Sequence, residues 1–150
     1  MAIGDGFTSR LLGGLAEHLQ DAGIGTWDPT GAAYSSNATA IVIRDIPAQP
    51  DRLITLAAYP LGTNLPGMAD HRLGVQIRLR AGQDPRDCDD LADQIFDLLD
   101  GASGLTWGGI PVKDIVRSSY TSMGRDGSRR WERSENYHVD AMRPTSNNTD

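Results

Sequence analysis

Cysteine is nearly missing from this chain, with Cys88 its only instance. No intrachain disulfide can form and no cysteine cluster can hold zinc. That poverty fits assembly in a reducing cytoplasm. Aromatic residues are few, at 6% of the total, so Leu, Ile, Val and Ala must supply the core. Long apolar runs are missing too: none approaches the ~20 residues a helix needs to cross a bilayer. Residues 1–7 have no basic stretch leading into an apolar one, the mark of a secretory signal. The expectation is a soluble protein with no membrane partner. Positive charge is also short. A net charge of -6 and a pI near 4.9 argue against a dedicated nucleic-acid binder, whose basic face must displace counterions, while still allowing a local basic patch.

What is present suits one domain spanning residues 1–150. The hydrophobic fraction is 39% and the charged fraction 23%, enough to bury a core and too apolar for disorder. Phe7, Leu11, Leu12, Leu15 and Leu19 recur at helical spacing, which predicts an amphipathic helix over residues 8–22 stopped by Gly23. Inside it Gly13 and Gly14 each cost roughly 1 kcal/mol relative to alanine, and a close neighbour packed on that turn would explain them. Residues 25–37 are rich in Gly, Ser, Asp and Pro and read as loop.

Strands are predicted over residues 38–44 (ATAIVIR) and 52–59 (RLITLAAY), the latter ended by Pro60. After a loop at residues 61–70, the alternation in LGVQIRLRAG places Leu73, Val75, Ile77 and Leu79 on one face of a half-buried strand, opposite Gly74, Gln76, Arg78 and Arg80. A second helix is announced by Asp84 as cap, Pro85 in the first turn, and Asp87, Asp89 and Asp90 beside the positive end of the dipole. Its apolar stripe is Cys88, Leu91, Ala92, Ile95, Leu98 and Leu99, and Gly101 offers a left-handed stop. Then come a short strand at residues 110–112, a longer one at 115–123, a turn at Asp126-Gly127, and a strand over 129–142 with Tyr137, Val139 and Ala141 on one face. The chain from about residue 144 is polar and expected to be a flexible tail. The order predicts an α+β fold, mainly antiparallel β-sheet with two amphipathic helices packed on one face.

The chemistry of catalysis is hard to find. Asp84, Asp87, Asp89 and Asp90 could gather on a hard cation, yet they sit where a helix start wants negative charge and lack the glycine turn and closing glutamate of a calcium loop. His18, His71 and His138 show no i, i+4 metal spacing and no nucleophile-elbow signature. Cys88 reads as a small buried hydrophobe. Gly101-Ala102-Ser103-Gly104 and Gly108-Gly109 lack the lysine of a phosphate-binding loop and read as turns. Arg125, Arg129, Arg130 and Arg133, with Trp131 among them, make one turn basic, either to meet a phosphate or an acidic partner or to protect an edge strand. The expectation is therefore no enzyme, no catalytic residue, no metal and no cofactor.

Four segments carry a resemblance: LLGGLAEHLQDAGIGTWDPTG from Leu11, PDRLITLAAYPL from Pro50, GVQIRLRAGQDPRDCDDLADQIFDLLDG from Gly74, and RRWERSENYHVDAMRP from Arg129. Together they span most of the chain, and it resembles the tail-terminator or "minor capsid" head–tail joining proteins of siphophages, especially those of actinobacterial hosts. The resemblance implies a structural virion protein: an α+β subunit forming a hexameric ring that caps the tail tube and meets a connector or stopper protein of the head. It implies location in the tail or neck of the virion, passage of genome DNA through the lumen without specific binding, and no catalytic residues. Net acidity would help that lumen repel DNA. The alternatives are another neck or head-completion protein near the portal, or a small metal-dependent hydrolase using the aspartates. For interfaces, the sequence offers Leu61, Leu65 and Met68, apolar in a loop, and the turn residues Arg125, Arg129, Arg130 and Trp131.

Overall fold

A computed structural model describes residues 1–31 and 33–150. The first apolar stripe forms helix α1 (Phe7–Asp21), which ends as Gly23 takes a φ of 78°. The second forms α2 (Pro85–Leu99), and Gly101, at φ 80°, makes the left-handed exit after it. Between and after them lie strands β1 (Thr26–Trp27), β2 (Thr39–Ile43), β3 (Arg52–Pro60), β4 (Asp70–Arg80), β5 (Ser103–Trp107), β6 (Ile110–Arg125) and β7 (Trp131–Met142). All seven join one sheet in the order β1-β2-β3-β4-β7-β6-β5. The pairs β1–β2 and β2–β3 are parallel, and the other four are antiparallel. The fold is α+β, as the pattern of elements predicts.

Alternation decides the two faces. Ile54, Leu56, Leu73, Val75, Ile77, Leu79, Tyr137, Val139 and Ala141 point to one side and pack with Leu11, Leu15, Leu19, Leu91, Ile95 and Leu99 of the helices into a single core. Among the described residues the other side carries no helix. There the register sets Arg78 against Ser134, Gln76 against Asn136 and Arg72 against Asp140, a polar surface. Arg80 belongs to this polar side by alternation, yet it is buried. Residues 44–51, which make the crossover between parallel β2 and β3, lie over it, and its guanidinium donates to the carbonyls of Pro47, Pro50 and Asp51 at 2.8, 2.7 and 3.0 Å. A short crossover carries backbone acceptors that no neighbouring strand can satisfy, and one arginine satisfies three of them.

Three expectations about local structure need correction. The two strands expected at 110–112 and 115–123 are one strand, β6, interrupted by a register shift between Val112 and Asp114. A bulge breaks the period of two, so a continuous strand looks like two shorter ones. The stretch read as turns around Ser103 and Gly104 contains β5, whose pairing with β6 outweighs the poor strand propensity of glycine. Thr26 and Trp27, inside the expected loop, form the two-residue β1.

Candidate interaction surfaces

The acidic start of α2 is occupied by structural work. Asp84 caps the helix by accepting from the Arg86 amide at 3.0 Å, and its carboxylate pairs with the Arg86 guanidinium at 2.8 Å. Those two hydrogen bonds hold its pKa down to about 2. A carboxylate with a depressed folded pKa adds stability above its unfolded value of about 4 and loses it as pH falls towards the folded one. The difference in melting temperature between wild type and Asp84→Ala should therefore be full at pH 6 and shrink between pH 4 and 2, as thermal unfolding followed by circular dichroism will show. Asp87 accepts from the Gly82 amide at 3.1 Å and pairs with Arg52 at 3.3 Å, while Asp89 pairs with Arg133 at 3.0 Å. Among the described residues no group of three or more His, Cys, Asp or Glu side chains is placed to hold a metal ion.

Of the histidines, His71 stacks edge-on to Phe7 with ring centroids 5.3 Å apart, and burial followed by the charge of Arg143 lowers its pKa. His18 lies 6.2 Å from the Trp107 ring, and His138 faces the helix-free side opposite Gly74. Cys88 is buried on the α2 stripe, and burial pushes its thiol up to about 11. At pH 8 it should resist an aromatic disulfide reagent in the folded protein and react at once in denaturant. Rapid labelling of the native protein would contradict that burial.

A network that the sequence reading missed lies under the basic turn. Glu135 is fully buried, at 0% exposure, on the helix-facing side of β7. It accepts from Arg133 Nε at 2.8 Å and from Arg117 Nη1 at 3.2 Å. Arg133 also stacks over the Tyr120 ring at 3.8 Å, and Arg117 over Phe96 at 4.2 Å. The signal was present in the alternation: Arg133 and Glu135 share the parity of Tyr137, Val139 and Ala141, so any strand with those residues inside has a charged pair inside as well.

The interface residues read from the sequence separate into two groups. At one end of the sheet, the loop before β4 leaves Leu65 and Met68 exposed, with Leu61 half-buried. Asn64 ties this loop to the Arg72 amide at 2.9 Å. The final residues, expected to be a loose tail, fold back on it: the Gly67 amide donates to Asn148 Oδ1 at 2.8 Å, and the Asp150 amide to the Gly67 carbonyl at 3.3 Å. At the opposite end, Asp126 organises the β6–β7 turn by accepting from the Ser128 and Arg130 amides at 2.9 and 2.8 Å. Arg130 is buried and spent on Asp126, Asp51 and the Ala48 carbonyl. Trp131 donates its ring N–H to the Gln83 carbonyl and packs against the core. Arg125 and Arg129 are exposed, and among the described residues neither has a carboxylate within ion-pair distance.

Both margins of the sheet are open. β5 covers β6 only from Ile110 to Asp114, and the segment after α2 extends the cover through Ile115 to the Arg117 amide. From Ser118 to Arg125 the outer edge of β6 has no backbone partner among the described residues, and Tyr120 and Met123 stand there 52% and 44% exposed. On the far margin β1 covers only Ala40 and Ile41 of β2, leaving Val42 and Ile43 bordering a cavity of about 520 Å³. Its walls include Trp27, Tyr34 and Pro47, with the carboxylates of Asp28 and Asp45 among them. Tyr34 is fixed there, donating to the Ile41 carbonyl at 2.8 Å and accepting from the Asp28 amide at 3.0 Å.

Open sheet margins and exposed apolar residues at the sheet's ends are features through which one subunit can bind another. The sequence pattern of the family described as "Bacteriophage tail terminator protein" matches residues 18–142, and the chain belongs to that family. It is accordingly a structural protein of the phage tail. Among curated proteins none matches the chain.

Proposed function

We propose that this chain acts without catalysis, as one rigid domain that assembles into a hexameric ring, caps the tail tube when its growth ends, and presents its other side to a connector or stopper protein of the head. A terminator needs two distinct binding ends on a stiff body, because it must accept the last tube ring on one side and refuse another on the other. One observation supports this best: the exposed apolar and basic features sit at opposite ends of the same strand pair. Asp70 pairs with Met142 beside the Leu65–Met68 loop, and Arg80 pairs with Glu132 beside the Arg125–Arg129 turn. The eleven residues of β4 lie between, about 35 Å at the usual strand rise.

Passage of DNA through such a ring without specific binding is supported by the charge layout. On the helix-free face Arg78 pairs with Glu132 and Lys113 with Asp70, so much of the positive charge there is neutralised. The outward surfaces of the helices carry exposed Glu17, Asp21, Asp90, Asp93 and Asp97. Among the described residues neither surface offers the run of free cations that counterion release requires.

The test is electron microscopy of the purified protein mixed with polymerised tube protein. Capped tube ends with sixfold density are expected, and the protein should co-purify with tails made without heads. Bare tube ends, together with recovery of the protein on tailless heads, would replace this reading with that of a neck protein at the portal.

A further inference from the structure

The two open margins of the sheet differ in length, shape and charge, and those differences match each other. We propose that neighbouring copies in the ring join head to tail through these margins: the free edge of β6 in one copy, residues 118–125, lies along the exposed end of β2 in the next. Met123 then enters the cavity walled by Trp27, Tyr34, Val42 and Ile43, the exposed edge of the stacked Tyr120 ring lies against its rim, and Arg125 and Arg129 approach Asp28 and Asp45. The inference rests on the ring reading above and names the surface that builds it.

The edge itself calls for a partner. Among the described residues the outer edge of 118–125 has no backbone partner and carries no proline or lysine, and only the register shifts at Arg117/Ser119 and Ser122/Gly124, with a φ of 77° at Gly124, bend it. Two large apolar side chains stand exposed on the same stretch. The far margin is shorter: the ladder to β3 takes the Val42 backbone and the Asp45 amide takes the Ile43 carbonyl at 2.7 Å, which leaves the Ile43 N–H and, beside it, the cavity.

Charge selects which edge meets which. Arg125 and Arg129 have no ion-pair partner within the described residues, and neither do Asp28 and Asp45 across the sheet. Joining β6 to β6 in a two-fold arrangement centred on Thr121 would set Arg117 of one copy opposite Arg125 of the other, and like charges directly opposed across strands repel. Joining β6 to β2 brings opposite charges together. A contact between two different patches repeats around an axis and closes into a ring when its rotation divides the circle, whereas a two-fold contact stops at a dimer.

The buried state of Cys88 makes a clean test possible, since its thiol stays out of reach in the folded protein. Rings of the double variant Met123→Cys with Val42→Cys, formed alone or on tube ends, are treated with a short bismaleimide and run under denaturing conditions. A ladder reaching the ring number is expected, with neither single variant going beyond monomer. In parallel, Arg129→Glu and Asp45→Arg should each weaken ring assembly about tenfold at low salt, and the two combined should recover to within about threefold of wild type. Intact rings that give no ladder and no charge-swap recovery overturn the proposed joint and leave the ring itself standing. Cross-links from Met123→Cys alone point to the symmetric pairing, and cross-links to tube protein give that edge to another partner; each overturns the proposal. Absence of any ring even on tube ends overturns the underlying ring reading, and the joint falls with it.

Discussion

Gly14→Ala should lower the unfolding free energy by about 3 kcal/mol or more, at the upper end of what overpacking costs, while Gly13→Ala, one residue earlier, should raise it by roughly 1 kcal/mol. The two glycines look alike in the sequence and occupy neighbouring positions of α1. Their surroundings are opposite. A Cβ on Gly14 would lie 2.3 Å from the Gly108 nitrogen and 2.4 Å from the Trp107 carbonyl carbon, and neither atom can rotate away because both are backbone. The contact is tight from the other side as well: a Cβ on Gly108 would lie 2.1 Å from the Arg10 carbonyl oxygen, and that residue has a φ of 56°. Helix α1 and the β5–β6 turn thus touch backbone to backbone, closer than any side chain permits. Gly13 has nothing within 4 Å of its would-be Cβ, so alanine there only removes backbone freedom from the unfolded chain. Urea titrations of both variants would reveal the sign difference. Equal midpoints for Gly14→Ala and wild type would mean that α1 does not sit on that turn.

Glu135→Ala should cost about 3–5 kcal/mol, the range for breaking a buried ion pair from one side. The carboxylate is wholly enclosed and is held by two guanidiniums, those of Arg133 and Arg117. Its removal leaves both cations inside with less compensation, although Arg133 keeps Asp89. The double variant Glu135→Leu with Arg133→Met should lose much less than the sum of its single changes, because an apolar pair of similar volume removes the desolvation penalty together with the attraction. Such a cycle, read from thermal or denaturant unfolding, separates a stabilising network from one that only fixes geometry. Additive losses would show that the two side chains are not coupled. The network also stiffens the base of the β6–β7 hairpin, through the stacking of Arg133 and Arg117 on Tyr120 at 3.8 and 4.8 Å. Loss of Glu135 should therefore weaken assembly as well as folding.

How far the sequence could be read depended on how local each signal was. Both helices were legible with their ends, since a stripe such as Phe7, Leu11, Leu15 and Leu19 and a cap such as Asp84 are set by residues within a few turns of one another. Strand β4 was legible from strict alternation. Strand β6 was not legible as one piece, because its bulges shift the period, and β5 was hidden because its stability comes from β6 and not from its own residues. Among the interface residues, Arg129 and Arg130 were indistinguishable in sequence. One ends exposed at a turn with a φ of 64°, and the other is buried against Asp126 and Asp51.

Composition and periodicity alone determined the class of this protein: an α+β layer with two helices on one face, dependent on aliphatic packing and free of disulfides. Those properties follow from which residues recur at 3.6 and at 2, and a chain carries that information without folding. Tertiary structure alone decided where the sheet stops. An edge is open when no other segment reaches it, and that is a fact about chain segments distant in sequence, such as β5 ending beside Asp114 while β6 runs on to Arg125. The open margins are therefore set by the lengths of paired strands, which no local pattern of residues encodes.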